Sequence, residues 1–168
     1  MAQDFKTLAE ADVRLLGSAL TREKDNYRRL LRLAWRQNSY MKRQDVDRLD
    51  ANSRDWARHL PRADEARIRR ERVVSDLAAK VGVTIPPGRV EDLLDYASTE
   101  GKTIVRGALD DLRHAAARLA RQNELNRTLA EFCLDLSREE TEVFRRTVLE
   151  DPNGSYDDEA QSSTRGPG

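Results

Sequence analysis

The chain is poor in the residues that usually carry chemistry. Its 168 residues include one Cys, two His and only 5% aromatics. A lone Cys133 excludes an internal disulfide and a cysteine metal cage. No apolar run approaches the roughly 20 residues of a membrane-spanning helix. The start, Met1 to Lys6, lacks the basic-then-apolar order of a signal peptide. Net charge is also missing, because 30 Lys+Arg balance 30 Asp+Glu, which argues against a general nucleic-acid binder. There is no glycine-rich phosphate loop and no nucleophile elbow. These absences predict a cytoplasmic protein that is not an enzyme and has no cofactor.

What the chain does have is charge in quantity. Charged residues are 36% of it, against about 25% in an average globular protein. Such a chain predicts solvated helices that meet along narrow apolar seams. The neutral sum is uneven: residues 22–72 hold 16 bases and 9 acids, +7, whereas residues 150–168 hold five acids against Arg165, −4.

The apolar residues recur at helical spacing. Leu8, Leu16, Leu20, Tyr27, Leu30, Leu31, Ala34, Met41, Leu49, Trp56 and Leu60 step mostly by 3, 4, 7 and 8. This predicts one helix over about 4–59, with Gly17 a weak break and Pro61 a strong one. A second helix fits 62–81 and ends on Gly82 as a left-handed cap. Pro86 and Pro87 mark a linker, a short helix fits 89–97, and Ser98 to Gly101 ends it. The last helix fits 102–149. Its seam, Val105, Leu109, Leu112, Ala116, Leu119, Asn123, Asn126, Ala130 and Cys133, alternates steps of 4 and 3. The expected fold is all-α: an elongated antiparallel bundle, or hairpin of long helices, in one domain over 1–150. Residues 151–168 read as a disordered acidic tail.

Candidate chemistry is sparse. Asp111 and His114 have the acid-x-x-His spacing of half a di-iron site, but no second such pair exists. Cys133 reads as a small seam hydrophobe. Asn123 and Asn126 stand where aliphatic residues would pack better, and a buried asparagine can fix register and partner choice. After Cys133 the seam frays. Phe132, Leu136, Val143, Phe144 and Leu149 either pack on Leu8, Val13, Leu15 and Leu16 or form an exposed contact strip.

Several of these features together resemble the FlgN-like flagellar export chaperones, over about Leu20 to Tyr156. The resemblance rests on Glu23, Tyr27, Leu30-Leu31, Gln37, Met41, Asp45 and Leu49, then Arg67, Arg70, Leu77 to Ala79 and Val81-Gly82. Its most specific part is Leu112, Leu119, Asn123, Asn126 and Leu129-Ala130, a pair of asparagines followed by an aliphatic pair. Tyr156 stands where similar proteins often carry Tyr-Gly, although Asp157 follows it here. The resemblance implies a non-enzymatic chaperone of flagellar type III export. Its partners would be the C-terminal segments of hook–filament junction proteins and the export gate with its ATPase complex. Carried over by position, the cargo residues are Asn126, Leu129, Phe132, Leu136, Val143, Phe144 and Leu149, and Tyr156 would contact the gate. The protein would be a monomer or homodimer, free of nucleic acid and membrane. The alternative is a coiled-coil scaffold or oligomerisation module without a chaperone role.

Overall fold

A computed structural model describes residues 7–86 and 88–150, with side chains as far as 147. It contains α1 (Glu10–Lys42), α2 (Val46–Val81), a 3₁₀ segment (Val90–Tyr96) and α3 (Thr99–Glu150), with no strand among the described residues. The chain falls into two compact units, Met1–Leu129 and Ala130–Gly168. The predicted tail lies outside the described residues.

The first unit is an up-down-up bundle. Its α1 and α2 are antiparallel, as the pairs Asp12–Lys80, Glu23–Arg70 and Leu33–Asn52 show. Within this unit α3 runs parallel to α1, with Gly101 against Val13, Asp111 beside Lys24 and Asn126 against Ala34. Leu16, Leu20, Val74, Leu77, Val105 and Leu109 form the centre of the core, and Val90, Leu93 and Leu94 of the 3₁₀ segment close it. Leu8 belongs to that core too, and its N–H donates to Tyr96 O at 2.7 Å. Val13 and Leu16 are therefore occupied inside the first unit, while Leu15 is exposed.

Three predicted boundaries are corrected. The first helix does not run to residue 59; it ends at Lys42. Gln44 adopts a left-handed φ of 55°, and the Asp45 side chain caps α2 by accepting the Arg48 N–H at 3.1 Å. Pro61, expected to break the chain, lies inside α2. Proline removes the donor to the carbonyl four residues back, here on exposed Ala57, where water can replace it. Ser98 starts α3 instead of ending the preceding segment, because its Oγ accepts the Gly101 N–H at 3.1 Å. Gly101 is also closely fitted, since a Cβ there would lie 3.0 Å from Val13 Cγ2 and Val13 would have to shift. Gly82 is the left-handed cap of α2 as expected, with φ 81°.

A charged cluster sits inside this apolar frame. Glu23 is only 2% exposed. Its Oε2 accepts from Arg70 Nε at 2.7 Å and its Oε1 from the Tyr27 hydroxyl at 3.0 Å. Arg70 lies 3.9 Å from Glu71, and Glu71 accepts from Arg67 Nη1 at 2.9 Å, so the chain of charges leads outward to solvent. Burying a carboxylate costs several kcal/mol, and good pairing geometry offsets that cost. Burial, then the neighbouring Glu23 charge, pushes the Tyr27 hydroxyl up to about 12.

Removing either partner takes away the other's closest counter-charge. Glu23→Ala is expected to lower the unfolding free energy by about 3–5 kcal/mol in urea titrations. The double change Glu23→Leu with Arg70→Met is expected to cost clearly less; equal losses would show that the charge pair is incidental. The raised Tyr27 pKa has its own signature. Below about pH 10 both states hold the proton, and its contribution is complete. As pH rises toward 12 the unfolded chain loses the proton first, so stability falls. Tyr27→Phe is expected to flatten that alkaline decline in chemical unfolding followed by circular dichroism.

Candidate functional site

Each unit contributes one feature of functional interest. In the first unit it is Asn126, which is 4% exposed. Its Nδ2 donates to Ala34 O at 2.8 Å and to Gln37 Oε1 at 3.0 Å. Its Oδ1 accepts from Asn38 Nδ2 and Gln122 Nε2, both at 3.0 Å. A carboxamide offers two donors and two acceptor sites, and here all four are used. Asn52 of α2 makes the neighbouring contact, donating to Leu33 O at 3.1 Å. Consecutive α1 carbonyls, Leu33 and Ala34, thus receive one asparagine from α2 and one from α3.

The two seam asparagines therefore differ. Asn126 is buried and Asn123 is exposed. Asn52, Asn38 and Gln122 were not singled out from sequence. Asn52 could have been found, because it interrupts the apolar spacing between Leu49 and Trp56. Leu129 is half-buried, while Leu125 beside it is 53% exposed.

In the second unit the described part of α3 carries a line of exposed apolar side chains. Phe132, Leu136 and Val143 are 59%, 39% and 64% exposed. At 100° per residue their positions fall within about 40° of one another on the helix. Glu139 lies on the same line, and Phe144, 69% exposed, is about 100° round from Val143. The flanks are held by local ion pairs, Arg138–Asp135 and Arg146–Glu142. Cys133 is free and half-buried. Leu149 and Tyr156 lie outside the residues whose side chains are described.

The sparse candidate chemistry is placed elsewhere. Asp111 pairs with Lys24 at 3.6 Å and His114 is exposed. His59 falls within α2. Among the described residues no cluster of three or more His, Cys, Asp or Glu is arranged to hold a metal, and no helix is long and apolar enough to cross a membrane.

A family model described as FlgN protein matches residues 14–164, which is most of the chain. No curated protein and no solved structure matches it significantly. The match takes in both the buried Asn126 centre and the exposed line on α3.

The contrast between the asparagines is measurable. Asn126→Ala is expected to cost about 2–3 kcal/mol in urea unfolding, because the buried bond to Ala34 and three half-buried amide contacts are lost together. Asn123→Ala is expected to stay within about 0.5 kcal/mol of the parent. Similar losses for both would contradict the difference in burial.

Proposed function

The chain belongs to the FlgN family of flagellar export chaperones, and from that premise we propose that it holds hook–filament junction proteins in the cytoplasm and delivers them to the export gate. The observation that supports this reading best is the exposed line of Phe132, Leu136 and Val143, with Phe144 beside it. Isolated apolar residues are ordinary at a surface, but several at helical spacing mark a contact. The C-terminal segment of a junction protein, folding as an amphipathic helix, would cover this line with its own apolar face. Leu129 and Leu149 are the remaining cargo residues proposed from the family resemblance.

Glu139 gives the contact polarity. A cargo helix that placed an aliphatic residue opposite this carboxylate would desolvate it without a partner, so the correct register presents Lys, Arg or a hydroxyl there. Asn126 acts behind the surface in this reading: its three hydrogen bonds to Ala34, Gln37 and Asn38 fix α3 against α1, and it does not itself touch cargo. Ordering a mobile cargo segment costs a few kcal/mol, which keeps the complex reversible. Release follows from exchange of partners at the gate, where Tyr156 is the proposed contact of the chaperone with the export apparatus and its ATPase complex. The same exposed line also fits a second reading, a seam for pairing two copies of this chain.

Calorimetric titration of the full chain with a purified junction protein separates these readings. Phe132→Ser with Phe144→Ser is expected to weaken binding at least tenfold, since each phenyl contributes about 1.5–3 kcal/mol when fully covered. Leu15→Ser, an exposed apolar residue of the first unit, is expected to leave affinity unchanged. If the double variant bound cargo normally but lost a dimer seen by sedimentation equilibrium, the pairing seam would be the correct account.

A further inference from the structure

The basic excess of residues 22–72 is organised on one face. Between α1 and α2 lies an open groove of about 840 Å³, lined by Arg22 and Arg29 from α1 and Arg62 and Arg69 from α2. The two helices are antiparallel, so Arg22 stands level with Arg69 and Arg29 with Arg62. Each pair of rungs is separated by seven residues, about 10.5 Å along a helix. A smaller hollow of about 200 Å³ continues the row with Arg32, Arg36 and His59.

Two observations describe the state of this face. Some exposed arginines elsewhere, such as Arg14, Arg54, Arg58, Arg138 and Arg146, pair with an acid three or four residues away, and others, such as Arg106, Arg121 and Arg145, make no ion pair among the described residues. Among the described residues the arginines of the groove make no ion pair, although all are exposed. At the end of the row, His59 Nδ1 is buried and finds no hydrogen-bond partner among the described residues. The groove thus gathers four arginines against two acids, a local excess of two positive charges in a chain of zero net charge.

We propose that this groove is a second binding site, and that it takes an acidic segment of a partner protein. Charge complementarity identifies carboxylates as the ligand groups, and the rung spacing sets their pattern. Three residues of extended chain cover about 10 Å, so an acid at every third position meets successive rungs. Asp25 and Glu65 also line the groove. A peptide can place neutral or basic residues opposite these two acids. A nucleic-acid strand, charged at every nucleotide, cannot. This site is independent of the apolar line on α3 and does not rest on its role.

The test uses the full chain at low ionic strength and a labelled 18-residue peptide with aspartate at every third position and neutral residues between. Fluorescence anisotropy is expected to show binding that weakens about tenfold in Arg29→Ala with Arg62→Ala. Arg54→Ala with Arg58→Ala, exposed arginines already paired, is expected to change it less than twofold. Glu65→Gln is expected to tighten it, a gain that loss of folding cannot produce. Equal weakening by both arginine pairs, or tighter binding of a single-stranded 18-mer DNA than of the peptide, overturns the proposal. So does a rise in peptide affinity of tenfold or more on deleting residues 151–168, which would assign the groove to the chain's own acidic end.

Discussion

A carboxylate with almost no contact with water is the constraint around which the first unit is arranged. Glu23 can be buried only if α2 brings Arg70 to it and α1 brings Tyr27, and both do. The pairing fixes how far α2 lies along α1. Apolar seams made of Leu, Val and Ala tolerate a slide of one turn at modest cost, because one aliphatic contact replaces another. A slide that separates Glu23 from Arg70 leaves the buried Glu23 carboxylate without its counter-charge, and that is expensive. The asparagine contacts at Leu33 and Ala34 repeat the same logic at a second level, this time for α3 as well. Hydrophobic burial holds the helices together; these polar contacts decide which alignment is held.

The helical nature of the chain was legible because its apolar spacing is consistent. Where that spacing misled, the cause is local. Met41 and Leu49 are eight residues apart, a step that fits an unbroken helix, so the turn between them leaves no trace in the seam. Its marker is Gln44, a residue with no special preference for the left-handed conformation it adopts. Pro61 looked decisive, yet a proline on a wet face disturbs little that water cannot repair. Asn126 was visible as a polar residue on an apolar seam, but which of the two seam asparagines was buried depended on the rotation of α3 against α1. The arginine groove appeared in sequence only as a local surplus of charge. Its shape needs two antiparallel helices to be seen.

The family assignment gives these features a common setting. An export chaperone must stay folded while its cargo does not, and must let go without consuming fuel of its own. A body whose register is set by buried polar contacts meets the first requirement. An exposed line of three apolar side chains, interrupted by one acid and with Phe144 to its side, suits the second, because such a surface supplies useful affinity over a small area. Under the proposed reading, stability and contact fall on different stretches of the same last helix.

Leu33 and Ala34 are adjacent in sequence, yet they receive side chains from two different helices. That adjacency bears on how such a chain can change length over evolutionary time. Inserting one residue in α1 between Glu23 and Leu33 would turn every later position by about 100° and move it by about 1.5 Å. Both asparagines would lose their acceptors at once, and no single insertion in α2 or α3 would restore both. Length changes should therefore be confined to the loops and the chain ends, or arrive in all three helices together in steps near seven residues, where the rotation almost closes.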